Sequence, residues 1–182
     1  MLVYTTDRLI LRSLQIDDIQ HLNEYVVRNK HFFSLWEPAR EEQYYSEKGA
    51  KDLIEYQNDE ITNRRGIYLY LFFQDGRKLI GSIGVSHIIY GAYQSCFLGY
   101  KLDELEINKG YMTEAMRKVI DICFHEYNLH RIEANVIPKN EHSISELKKL
   151  GFTEEGRSPK YLKINGNWED HIHYVLLNDR VE

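Results

Sequence analysis

Apolar and polar positions change period several times along the chain, and each change marks an element. "RLILRSL" from Arg8 alternates, which predicts a first strand. Asp17 and Asp18 then precede Ile19, Leu22, Tyr25 and Val26, so a helix is predicted with its acids at the positive end of the dipole. Ala50, Leu53, Ile54 and Gln57 predict a second helix over Glu47 to Asn63. "GIYLYLFF" predicts a strand, Asp75-Gly76 in "QDGRK" a hairpin turn, and "LIGSIGVSHII" the returning partner. "SCFLGYKL" from Ser95 reads as another strand. Met112, Ala115, Met116, Val119, Ile120, Cys123, Phe124 and Tyr127 then recur at three and four, predicting one long amphipathic helix. "RIEANVI" from Arg131 is the next strand. "NEHSISELKKLGF" is a short helix with Ile144, Leu147 and Leu150 inward and Gly151 as its stop. Two closing strands surround the "NGN" turn at Asn165 to Asn167.

The order β, α, α, β, β, β, α, β, α, β, β predicts an α+β fold: a mixed, mostly antiparallel central sheet flanked by helices. One β-α-β crossover, near Ile107 to Ile137, makes two neighbouring strands parallel. With no repeat, no low-complexity stretch and only three prolines, the chain is expected to form a single domain over residues 1–182.

Composition narrows the function classes. A hydrophobic share of 43% suffices for one packed core, and the 14 tyrosines suit half-buried strands and cleft walls. No apolar run approaches the roughly 18 to 20 residues that cross a bilayer. "MLVYTTDRLILRSL" carries Asp7, Arg8 and Arg12 and lacks a signal-peptide layout, so a soluble, cytoplasmic protein is expected. Cys96 and Cys123 sit in apolar patterns and are expected as two buried thiols in a reducing compartment. The formal charge of −5 argues against binding bare nucleic acid and favours cationic substrates such as amines or basic peptides.

The chemistry concentrates at "INKGYMTEAM", where a turn with one glycine opens the long helix. Unpaired N–H groups at a helix start, lying at the positive end of the dipole, form an anion site, and Gly110 lets backbone approach without a Cβ. Lys109 adds a point charge, while Thr113 and Glu114 fall in the first turn, where an acid supports the helix itself. Neither a GxGxxG nor a GxxxxGK[ST] string is present. Asn140 and Ser143 open the next helix, and residues of these types also serve as caps. Glu106, Glu133, His171 and His173 are the candidate general bases. His171 and His173 share a strand face, but without a third ligand or an HExxH spacing no metal is expected. Tyr161 and the aromatic "FFSLWEP" around Trp36 are candidates for the wall of an acceptor pocket.

From Asn108 onward, "NKGYMTEAM…HRIEANVIPKNEHSISELKKLGFTEEGRSPKYLKINGNWEDHIHY" resembles the GNAT superfamily of acyl-CoA-dependent N-acetyltransferases. Within it the chain is most similar to the RimJ/RimL type of ribosomal-protein N-terminal acetyltransferase, to which "TDRLILRSLQIDDIQHL", "LIGSIGV" and "FLGYKL" also conform. The superfamily's phosphate string is Gln or Arg, two residues, Gly, one residue, then Gly or Ala. Here it falls on Ile107 to Met112 and retains only Gly110. The resemblance implies that backbone groups of Asn108, Lys109, Gly110, Tyr111, Met112 and Thr113 hold the pyrophosphate of acetyl-CoA. It implies that Asn140 and Ser143 contact the cofactor arm, with Ser143 as the catalytic residue that stabilises the departing thiolate. It further implies that the strands around Phe97 to Lys101 and Glu133 to Ile137 run parallel and splay, and that an amine attacks the thioester directly. The implied acceptor is the N-terminal α-amine of a protein, a ribosomal protein foremost; charge and hydropathy lead to the expectation of no direct nucleic-acid or membrane partner, and a homo-oligomer is left open as a partner. A small amine such as a polyamine or aminoglycoside is the alternative acceptor, and a non-catalytic acyl-CoA-binding module the alternative class.

Overall fold

A computed structural model describes residues 1–179; the last three positions of the expected domain lie outside them. The strands are β1 (Val3–Thr5), β2 (Leu9–Arg12), β3 (Ile67–Phe73), β4 (Leu79–Ile89), β5 (Ser95–Leu102), β6 (Arg131–Val136), β7 (Thr153–Ile164) and β8 (Asn167–Leu177). The helices are α1 (Ile19–Arg28), α2 (Lys30–Ser34), α3 (Glu47–Thr62), α4 (Tyr111–Asp121) and α5 (Glu141–Lys149). All eight strands form one sheet in the order β1-β2-β3-β4-β5-β6-β8-β7. Every neighbouring pair is antiparallel except β5 and β6, the pair that the crossover through α4 makes parallel.

Period-two alternation decides which face each side chain meets. On β3, Ile67, Leu69 and Leu71 pack with α4 residues Met112, Ala115, Met116 and Val119 on one face of the sheet. Tyr70 and Phe72 point the other way, onto Leu22, Tyr25 and Val26 of α1 and Ala50 and Ile54 of α3. The same rule puts Ile172 and Tyr174 of β8 in the α4-side core and turns His171 and His173 to the opposite face.

Three differences from the sequence pattern have physical causes. Strand β1 is too short for its alternation to register; it is held to β2 after a turn in which Thr6 N–H donates to the Leu9 carbonyl (2.9 Å). The short helix α2 interrupts the segment before Trp36 and turns Phe33 into the α1–α3 core. The long helix is not α-helical throughout, because Ile122–Glu126 widens into a π turn in which Tyr127 N–H donates to the Ile122 carbonyl (3.1 Å). The extra residue lets Ile122 and Cys123 both face the core and still brings Tyr127 and Leu129 inward.

The end of α1 fixes the turn that follows β5. Arg28 Nε donates to Asp103 Oδ2 (2.7 Å), and Asn29 Oδ1 accepts from Glu104 N–H (3.0 Å). Asp103 N–H in turn donates to the Ile80 carbonyl (2.7 Å). Burial alone would raise the Asp103 carboxyl; the Arg28 and Leu105 hydrogen bonds and the Arg28 and Lys78 charges outweigh it and hold it below the usual carboxylate range. The loop leading into α4 therefore starts from a pinned corner. No helix among the described residues is long and apolar enough to cross a membrane.

Candidate functional site

The parallel pair is short. Strands β5 and β6 share register only at Ser95–Arg131, Cys96–Ile132 and Phe97–Glu133. Beyond Phe97, β5 keeps β4 on one edge, and β6 keeps β8, but the two edges between them part. A cavity of about 770 Å³ fills the opening and runs from one face of the sheet to the other. Leu98, Tyr100, Ala134 and Val136 line its middle. Gly110, Met112, Asn140 and Ser143 line one end, and Phe32, Trp36, Glu37 and Tyr44 the other.

Helix α4 begins at this cavity. Asn108 and Gly110 have left-handed backbone, φ 61° and 79°, and Gly110 is the helix cap. Glu114 N–H donates to the Gly110 carbonyl (3.1 Å), which starts the helical ladder. The N–H groups of Tyr111, Met112 and Thr113 precede that ladder and have no acceptor among the described residues. A Cβ on Gly110 would lie 3.3 Å from Arg8 Nη2. Arg8 supports the loop from outside: Nη1 donates to the Lys109 carbonyl (3.0 Å), Nε donates to Glu114 Oε2 (2.6 Å), and the guanidinium stacks 4.5 Å from the Tyr111 ring. Glu114 thus serves structure, also accepting from Thr6 Oγ1 (2.6 Å) and Arg8 N–H (2.9 Å).

Side chains in the loop divide between the two sides. Asn108, Gly110, Met112 and Thr113 line the cavity. Tyr111 turns away to pack on Phe73 at 5.5 Å between ring centroids. Lys109 Nζ donates to Glu106 Oε2 (2.8 Å), so its charge is already matched. Burial would raise Glu106, but hydrogen bonds from Lys109 and Lys78 hold it below the usual carboxylate range, which removes it as a proton acceptor at neutral pH. Thr113 Oγ1 donates to Glu146 Oε2, and Glu146 also pairs with Lys149.

Helix α5 closes the same end. Asn140 Oδ1 accepts from Ser143 N–H (3.1 Å), the capping bond its residue type predicts. Ser143 Oγ lies 2.6 Å from the Tyr100 hydroxyl, which also reaches the Ser143 carbonyl (3.2 Å). Burial pushes the Tyr100 phenol up, so it stays protonated and holds the serine in place.

At the far end, Lys101 Nζ donates to both oxygens of Glu37 (3.1 and 3.2 Å), and Arg40 reaches the same carboxylate (3.3 Å). Neither Tyr100 nor the Glu37–Lys101 pair is apparent in the sequence, because both depend on where β5 runs after it leaves β6. Glu133 is held by Arg131 Nε (2.8 Å). His171 lines the cavity, whereas His173 sits beside it, and Tyr161 packs on both rings at 5.4 and 5.0 Å without lining it. No cluster that could hold a metal exists among the described residues.

The arrangement fits acetyl-CoA. Free helix-start amides suit a pyrophosphate, a left-handed glycine cap without a Cβ brings backbone close to it, and an elongated gap between unshared strand edges suits an arm with amide groups. Comparison with known proteins agrees. Residues 8–153 match the family model described as an acetyltransferase (GNAT) domain. A probable N-acetyltransferase of Bacillus subtilis (strain 168) is 38% identical over 170 residues, covering 93% of this chain and 94% of its own. The [ribosomal protein uS5]-alanine N-acetyltransferase of Escherichia coli (strain K12) is 34% identical over 168 residues, covering 92% and 87%. The crystal structure of ribosomal-protein-S5-alanine acetyltransferase from Vibrio fischeri superposes with a TM-score of 0.95 at 32% identity over 100% of both chains. On its splayed parallel pair, its open helix mouth and these matches, the chain belongs to the GNAT family of acetyl-CoA-dependent N-acetyltransferases.

Proposed function

We propose that the protein acetylates the N-terminal α-amine of a protein, a ribosomal protein foremost, acting in the cytoplasm as one domain over residues 1–182. The observation that carries the acceptor class is the charge state of the cavity. Its two lining carboxylates, Glu37 and Glu146, are both paired already, the first with Lys101 and Arg40, the second with Lys149. A polyamine brings several cations and needs unmatched acids to meet them. A peptide N-terminus brings one charge and an extended backbone, which the aromatic end of the cavity accommodates. That the E. coli relative acts on an alanine of ribosomal protein uS5 supports the same class.

Acetyl-CoA supplies the acetyl group as an activated thioester. The N–H groups of Tyr111, Met112 and Thr113, with Asn108, Lys109 and Gly110 shaping the turn, hold its pyrophosphate. Unshared N–H and C=O groups along the facing edges of β5 and β6 hold its arm and polarise the reacting carbonyl. Asn140 orders the first turn of α5, and Ser143, fixed by Tyr100, donates toward the departing sulfur. No acyl-enzyme is needed, since the gap opens to the acceptor face.

The test is release of CoA thiol with peptides bearing a free N-terminal alanine, intact ribosomal subunits, and spermidine, with mass mapping of each product. Acetylation at protein or peptide N-termini with little turnover of spermidine is expected. Faster turnover of spermidine would replace the peptide reading with the small-amine one.

A further inference from the structure

Deepening the N-terminal acceptor reading on which it rests, we propose that His171 Nε2 is the general base that takes the proton from the acceptor's ammonium. Three observations converge on this ring. His171 is on the sheet face opposite α4, the side from which an acceptor meets the gap, because Ile172 and Tyr174 alternate into the α4-side core. It lines the cavity while keeping only 3% of its surface accessible, so the ring is fixed rather than free in solvent. Its Nδ1 lies 3.1 Å from the Glu169 carbonyl, which can only accept, so Nδ1 carries the hydrogen. The lone pair is thereby assigned to Nε2, which makes no hydrogen bond to the described residues.

The other candidates are engaged. His173 has both ring nitrogens bonded, Nδ1 to Asn135 Oδ1 (2.6 Å) and Nε2 to Ser158 Oγ (2.7 Å). Glu106, Glu133 and Glu37 are each paired with cations. Tyr161 packs at 5.4 Å against His171 and limits its rotation.

The titration of this ring follows from its surroundings. Burial lowers its pKa below 6.5; the bond to Glu169 O and the charges of Glu169 and Asp170 raise it, and His173 lowers it further. From β7, Ser158 lies opposite His171 in register and Tyr161 packs on its ring, while Ile137, the residue after β6, adds only an apolar side chain to the cavity wall. Across the cavity the ionised groups are Glu37 with Lys101 and Arg40, and Glu146 with Lys149, each internally matched. The imidazole is therefore neutral at pH 7 and becomes protonated only below its lowered pKa.

In the step, the acceptor ammonium gives one proton to Nε2. The freed lone pair forms the C–N bond to the acetyl carbon, and the C–S bond breaks with its electron pair on sulfur. The second proton lost from nitrogen goes to that sulfur, giving the thiol, and the imidazolium returns its proton to water. Such a base suits an α-ammonium of pKa about 8 and is poorly matched to a lysine ammonium of about 10.4.

Two variants and one spectrum test the assignment. His171→Gln removes the titrating group; His171→Asn keeps an amide N–H for the Glu169 carbonyl and places nothing at Nε2. Both are expected to bind acetyl-CoA within twofold of the parent and to lose about 100-fold or more in kcat toward an N-terminal peptide. The acid limb of kcat, below pH 6.5 in the parent, moves up toward the amine's own value near 8. Nitrogen NMR of the unaltered protein reads the tautomer without any variant: at pH 7 a hydrogen on Nδ1 and none on Nε2. Parental kcat with an unmoved limb in either folded variant, or a hydrogen on Nε2, overturns the inference. Should the parent acetylate no N-terminal peptide while turning over another amine, the acceptor reading fails instead.

Discussion

At pH 7, a peptide with a free N-terminus is acetylated about 300 times more efficiently than its α-blocked analogue carrying one lysine, as kcat/KM. The figure follows from proton affinity. Freeing an α-amine of pKa about 7.7 to 8 costs roughly 3.5 kcal/mol less than freeing a lysine amine of about 10.4, at 1.36 kcal/mol per unit. No group near the cavity makes up that difference. Glu106 is held ionised by Lys78 and Lys109, and His171 is a weakened base, its pKa lowered by burial. The ratio shrinks as pH rises, because the α-amine is already free above about pH 8 while each further unit frees ten times more lysine. Rates from pH 6.5 to 9.5 measure both the ratio and its slope. Equal rates at pH 7, or faster lysine acetylation, would contradict the assignment of the acceptor.

Gly110→Val weakens CoA binding by at least about 100-fold. The residue sits at φ 79°, where a β-branched side chain costs upward of about 1–2 kcal/mol, and its Cβ would lie 3.3 Å from Arg8 Nη2. The Arg8 contact yields to a shift of a few tenths of an ångström, but relief of the left-handed strain requires the turn to rotate, and rotation carries the Tyr111, Met112 and Thr113 amides off a common target. Each hydrogen bond to a charged oxygen contributes about 1.5–3 kcal/mol, so misdirecting two of them accounts for the loss. Calorimetric titration with CoA reads the dissociation constant, and a thermal melt checks that the variant is folded. A folded Gly110→Val with unchanged affinity would count against the loop as the phosphate site.

What the sequence carried was periodicity and local caps. The stripe Met112, Ala115, Met116, Val119 places α4, and the left-handed Gly76, Gly151 and Gly166 mark turns where strand or helix must stop. Contacts between distant residues were not legible. Ser143 and Tyr100 are 43 residues apart and meet only because β5 continues past its last pairing with β6. Lys101 and Glu37 are 64 apart and meet through the unforeseen helix α2. Even Lys109 was misleading as a free charge: its partner Glu106 is three residues away, but across a turn whose shape depends on Arg8 and Asp103. The π turn after Asp121 escaped because a one-residue insertion leaves an apolar stripe nearly unchanged.

Three N–H groups are expected to hold the pyrophosphate, and amide NMR of nitrogen-labelled protein reads them one by one. On titration with CoA, the Tyr111, Met112 and Thr113 amides should move downfield more than any others. Pantetheine, which has the arm but no pyrophosphate, should shift residues along the β5–β6 gap such as Tyr100 and Val136 and leave those three in place. CoA binding that leaves the three amides unmoved would contradict the account.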